Sequence, residues 1–69
     1  MSKAYIRYKL AVPFGKFYKR AIDHNTNKKY AWCKTLEEAR RLKAFAIENE
    51  PDDIDEDIVI LREIQEVVE

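Results

Sequence analysis

With one cysteine (Cys33), one histidine (His24), one glycine (Gly15) and two prolines in 69 residues, the chain is marked first by what it cannot build. A lone cysteine closes no internal disulfide, and one cysteine beside one histidine leaves a zinc ion with a nearly all-carboxylate shell, so no metal site is expected. A single glycine cannot supply a phosphate-cradling glycine loop. No apolar run approaches the roughly 20 residues of a membrane span, and the first residues lack the basic, apolar, small-residue order of an export signal. The cytoplasm is the expected compartment, with no membrane partner and no cofactor.

What is present argues for a folded chain. Ile, Val, Leu and aromatic residues are ample everywhere except between Glu48 and Asp57. There is no internal repeat, low-complexity tract or composition break, so residues 1–69 read as one domain. A domain of this size buries only about 60% of the surface its unfolded chain exposes. A core of this size seldom supplies more than roughly 3–5 kcal/mol, and such domains often gain support from a disulfide, a metal or a partner subunit. With the first two excluded, a homodimer is the expected state.

The formal net charge is zero, yet the charges are divided along the chain. Up to Lys34 the only acid is Asp23, against Lys3, Arg7, Lys9, Lys16, Lys19, Arg20, Lys28, Lys29 and Lys34. From Thr35 onward the acids dominate, most densely at Glu50, Asp52, Asp53, Asp55, Glu56 and Asp57. Either one half contacts a charged partner, or the halves neutralise each other on folding.

Periodicity predicts a small α+β domain of order β-β-β-α-β. Ile6, Tyr8, Leu10 and Val12 alternate with Tyr5, Arg7, Lys9 and Ala11, which predicts a strand from Ala4 to Val12, broken by Pro13 and Gly15. A second alternating run covers Lys16 to Asp23, a polar turn follows through His24 to Asn27, and Tyr30 to Cys33 reads as a third strand. Thr35-Leu36-Glu37-Glu38 is a capping box in which Thr35 caps the Glu38 amide and Glu38 reaches back to Thr35. Leu36, Ala39, Leu42 and Ala46 then form one helical stripe aimed at the sheet, and Pro51 predicts a stop near Asn49. Ile58 to Ile64 reads as a last strand continuing toward Val68, with apolar side chains at both parities. That pattern predicts an interior strand covered on both faces, a partner chain being one such cover, or a bulge near Arg62; helical spacing of Ile60, Ile64 and Val67 or Val68 is the alternative.

Catalysis is not expected. Cys33 and His24 sit at opposite ends of the short third strand, so no nucleophile meets a base, and Cys33 reads as a small packing residue. Asp53, Asp55 and Asp57 have the alternate spacing of a calcium loop, but its glycine is missing and Ile64 stands where the closing glutamate belongs. The basic, aromatic first half is the nucleic-acid candidate: Arg7, Lys9, Lys19, Arg20, Lys28 and Lys29 among Tyr5, Tyr8, Phe17, Tyr18, Tyr30 and Trp32 would neutralise phosphates and stack bases. Strand alternation must bury part of that set beneath the helix.

The runs Tyr18-Lys19-Arg20, Lys28-Lys29 and Lys34-Thr35-Leu36-Glu37-Glu38-Ala39 resemble the arm-type DNA-binding domain of phage integrases over about residues 5 to 48. Over nearly its whole length the chain resembles a loose group of short bacteriophage and prophage proteins, in which a hairpin and such a helix precede an acidic turn and a final strand. The second resemblance implies a small accessory protein that binds and modulates or inhibits a host protein, defence factors included. The expectation is thus a non-catalytic binding protein. Its contacts would be an exposed edge strand and the acidic arm of Glu50, Asp52, Asp53, Asp55, Glu56 and Asp57. DNA or RNA binding by the basic set is the alternative.

Overall fold

The computed structural model describes residues 4–50 and 57–69. In chain order the elements are β1 (Ala4–Phe14), β2 (Phe17–Arg20), β3 (Ile22–Asp23), β4 (Lys28–Lys29), α1 (Leu36–Glu48) and β5 (Val59–Glu66). β2 and β3 are one run interrupted at Ala21, so the order is β-β-β-α-β and the class is α+β. β1 is the central strand of an antiparallel sheet ordered β2-β1-β5, while β3 and β4 form a separate two-stranded hairpin.

Backbone direction along β1 organises everything around it. Tyr8 exchanges both hydrogen bonds with Cys33 at 2.8 Å each, and the Leu10 carbonyl accepts from the Ala21 amide at 2.9 Å. Even-numbered residues of β1 therefore point their backbone groups toward β2 and Cys33, and odd-numbered ones toward β5. This corrects the expectation that Pro13 ends the strand. Pro13 is odd-numbered and lies beyond the Ala11–Val59 pair at which β5 ends, so its missing N–H removes no ladder bond and β1 runs on to Phe14. The chain then reverses through Gly15 and Lys16 between the paired Phe14 and Phe17, with Gly15 at φ 64°. A positive φ at the first central position only is the mirror-image turn whose twist matches the flanking strands, and glycine adopts it without strain.

The second run divides because Ala21 serves two neighbours, donating to Leu10 and accepting from the Tyr30 amide at 3.2 Å. β3 then turns through His24 to Asn27. Asp23 Oδ1 accepts from the Asn25 amide at 2.9 Å, its carbonyl accepts from the Asn27 amide at 2.7 Å, and Asn27 takes φ 60°. The third strand expected at Tyr30 to Cys33 is instead a two-residue ladder at Lys28–Lys29 plus a lone bridge at Cys33. Tyr30 bonds to Ala21 and Cys33 to Tyr8, so the segment crosses from one sheet to the other and cannot pair along a single strand.

At the start of α1 the Thr35 hydroxyl accepts from the Glu38 amide at 3.1 Å, as expected. The return bond differs: the Glu38 carboxylate accepts from the Lys34 amide, not from Thr35, at 3.2 Å. Asn49 ends the helix, its amide and its side-chain Nδ2 both donating to the Phe45 carbonyl. Ala39 and Ala46 are fully buried, small enough to let the helix approach β1 and β5. The core joins Leu10, Val12, Ala21, Tyr30, Ala46 and Ile58, with Leu42 and Ile60 packed against it.

β5 is a strand, which excludes the helical alternative for its residues. Its register with β1 is unbroken from Val59–Ala11 to Glu66–Ala4, so there is no bulge at Arg62. Among the described residues it pairs with β1 alone. Apolar residues occur at both parities because each face has partial cover. Ile60 meets the core on the helix side, and Val59 and Leu61 lie beside Ala11 and Lys9 on the other.

Candidate functional site

The sheet face opposite the helix carries the odd-numbered side chains of β1, namely Tyr5, Arg7, Lys9 and Ala11. Their register partners Gln65, Glu63, Leu61 and Val59 share that face, as does Arg20 opposite Ala11. The Cys33 bridge to Tyr8 sends the Cys33 side chain to the helix face and its neighbour Trp32 to the open one. Three cations converge on that indole: Arg7 Cζ lies 3.4 Å, Arg20 Cζ 4.6 Å and Lys9 Nζ 5.2 Å from the ring centroid. The indole's negative face attracts them electrostatically.

Glu63 ties the cluster to β5. Arg7 Nη2 and Nε both donate to Glu63 Oε1, at 2.8 and 3.1 Å, Gln65 Nε2 donates to the same oxygen at 3.1 Å, and Lys9 Nζ lies 3.8 Å from Oε2. The bonds from Arg7 hold the Glu63 carboxyl below its usual range, against a smaller opposing effect of desolvation, and the positive charges of Arg7 and Lys9 add to the lowering. Arg20 Nη2 donates to the Tyr30 carbonyl. Arg7 and Arg20 are thus fixed by hydrogen bonds as well as by the ring, and the cluster closes the second face of the sheet over fully buried Ala11.

The six basic candidates do not form one surface. Arg7, Lys9 and Arg20 meet at Trp32. Lys19, opposite Val12 in register, lies on the helix side, with its Nζ 4.6 Å from the Phe14 ring. Lys28 and Lys29 are exposed on the separate β3–β4 hairpin. Of the acidic arm, Glu50 and Asp57 are described, half-buried and exposed respectively. Asp52, Asp53, Asp55 and Glu56 lie outside the described residues, as does most of the calcium-like spacing. Among the described residues no group of three or more His, Cys, Asp or Glu side chains is placed to hold a metal ion. None of the described helices is long and apolar enough to cross a membrane.

Cys33 is buried, its Sγ 3.9 Å from the Ala31 carbonyl. Burial, with Glu38 nearby, pushes its thiol above the ordinary value of 9.0, which keeps it protonated and unreactive at neutral pH.

A second feature lies at the tip of the β1–β2 hairpin. Phe14, Phe17 and Tyr18 remain 50%, 61% and 51% exposed. Phe14 and Phe17 pack edge to face with centroids 5.5 Å apart. By strand alternation Tyr18 projects to the opposite side, so both faces of the tip carry aromatic surface, flanked by exposed Lys16 and Lys19. Reading Pro13 and Gly15 as the end of a strand hid this feature. Phe14-Gly15-Lys16-Phe17, two aromatics around a two-residue turn, was the signal that could have disclosed it.

Compared with protein-family models, with curated proteins and with solved structures, the chain finds no match in any of the three. Its fold and surface define a small α+β domain with a self-contained cation–aromatic cluster on one sheet face and a projecting aromatic, basic hairpin.

Proposed function

We propose that the chain is a non-catalytic protein-binding module that seats the β1–β2 hairpin tip in an apolar, acid-rimmed surface of a partner and thereby modulates or inhibits it. The observation that carries this reading is the exposure of Phe14, Phe17 and Tyr18 together on one two-stranded projection. Rigid aromatic side chains that keep half or more of their surface in water are costly for a monomer and are the usual anchors of protein interfaces. Lys16 and Lys19 add a positive rim, which suits acidic groups around the partner's apolar pocket. The likeness of the Lys-Thr-Leu-Glu-Glu-Ala region to short phage proteins extends the proposal to a host protein as the partner. The acidic arm from Glu50 to Asp57 is a second contact to basic groups on the same partner. Burial of Cys33 supports the non-catalytic reading, since the chain's one thiol is held in its unreactive form.

A DNA- or RNA-binding role is the second reading, favoured by the meeting of Arg7, Lys9 and Arg20 at Trp32. Against it, Glu63 neutralises part of that charge and guanidinium groups occupy the indole on which a base would stack. Capture from a lysate of the producing cells, with and without nuclease, separates the two. Protein binding is expected to survive nuclease and to fall sharply in Phe14→Ser/Phe17→Ser. Capture that disappears with nuclease and is unchanged by those substitutions would favour the second reading.

A further inference from the structure

Among the described residues the outer edge of β5 is unpaired, and its sequence says what fits it. Because odd-numbered residues of β1 bond to β5, the bonded partners on β5 are Val59, Leu61, Glu63 and Gln65. The backbone groups of Ile60, Arg62, Ile64 and Glu66 therefore point outward, away from β1. A row of free donors and acceptors of this kind is a template for another strand.

From this geometry we infer that β5 pairs antiparallel with β5 of a second copy, about a two-fold axis at Ile64, giving a continuous six-stranded sheet β2-β1-β5-β5-β1-β2. In that register Ile64 faces Ile64 of the second copy, and Arg62 and Glu66 of each copy face Glu66 and Arg62 of the other. The four charges that Arg62 and Glu66 bring to the pairing are thereby matched with opposite sign. Shifting the axis to Arg62 sets like charges directly opposite each other, and shifting it to Glu63 does the same with the carboxylates, so of these three registers the one centred on Ile64 alone opposes no like charges. The pairing also accounts for an exposed apolar row. Ile6 and Ile64 are register partners on the helix side, yet they are 49% and 53% exposed. Dimerisation makes them four isoleucines in line across the joined sheet, each covering its neighbour. The two hairpin tips then lie at opposite ends of the sheet and remain free, so the inference stands whether or not the tip is a binding surface.

Sedimentation of the full chain across micromolar to millimolar concentration tests the pairing, with circular dichroism to confirm that each variant stays folded. The expected result is a concentration-dependent dimer. Arg62→Glu alone and Glu66→Arg alone each place like charges opposite one another twice per dimer and weaken association by roughly tenfold or more, and the double exchange restores it. Ile64→Cys, under mild oxidation, should give a disulfide-linked dimer, whereas Arg41→Cys on the exposed face of α1 should not. A monomer at every concentration would overturn the inference. So would a dimer that neither single exchange weakens, or one that the double exchange fails to restore while Ile64→Cys stays uncrosslinked.

Discussion

Arg7 stacks its guanidinium 3.4 Å from the centre of the Trp32 ring while the same group donates twice to Glu63, so one side chain joins three segments of the chain. The charge division along the sequence is thus partly resolved by folding, since a basic first-half residue meets an acid near the C-terminus across the β1–β5 ladder. A double-mutant cycle of Arg7→Ala and Trp32→Leu should give a coupling of about 0.5–2 kcal/mol in urea melts, the range for a cation held against an indole. Additive effects would mean that the ring merely packs beside the strand.

Acidification should expose the role of Glu63. Its folded carboxyl titrates below the ordinary value of 4.5, so the stability it contributes is complete above that value and is lost as the pH falls through the lower, folded one. Glu63→Gln should therefore cost stability at neutral pH and flatten the decline on the acid side. An unchanged pH profile in the variant would show that other carboxylates govern acid unfolding.

Thr35→Ala should lower stability by about 0.5–2 kcal/mol, because the Glu38 amide loses its acceptor at the first turn of α1. The urea midpoint reads this directly. No change would place the start of the helix elsewhere.

Gly15→Ala tests conformation apart from space. Nothing lies within 4 Å of a Cβ built at Gly15, yet its φ is 64°, so the substitution should cost about 1–2 kcal/mol through the backbone alone. A D-alanine introduced by synthesis should be tolerated there. Equal effects from both enantiomers would contradict the turn.

The parts of the fold that local chemistry dictates were legible in the residues. The alternation of Ile6, Tyr8, Leu10 and Val12 predicts the helix-facing side of β1, and Thr35 with Glu38 predicts where α1 begins. Where tertiary pairing decides, the residues misled. Pro13 reads as a strand breaker unless the open side of its N–H is known, and Tyr30 to Cys33 reads as a strand although its hydrogen bonds go to two different strands. The mixed parity of Val59, Ile60 and Leu61 suggested a covered or bulged strand, while an edge strand with partial cover on each face satisfies it equally well. Among the site residues, Arg7, Lys9 and Arg20 were legible as a basic group, but their convergence on Trp32 depends on the Cys33–Tyr8 bridge, which joins residues distant in sequence.

The hairpin tip as a protein-contact surface is tested most directly by site-specific photocrosslinking in the producing cells. A photoreactive amino acid at Phe17 should yield nuclease-resistant adducts with a distinct protein partner, and the same group at Arg41, exposed on α1, should not. Adducts at Arg41 with none at Phe17, or adducts at Phe17 only with nucleic acid, would contradict the proposed function.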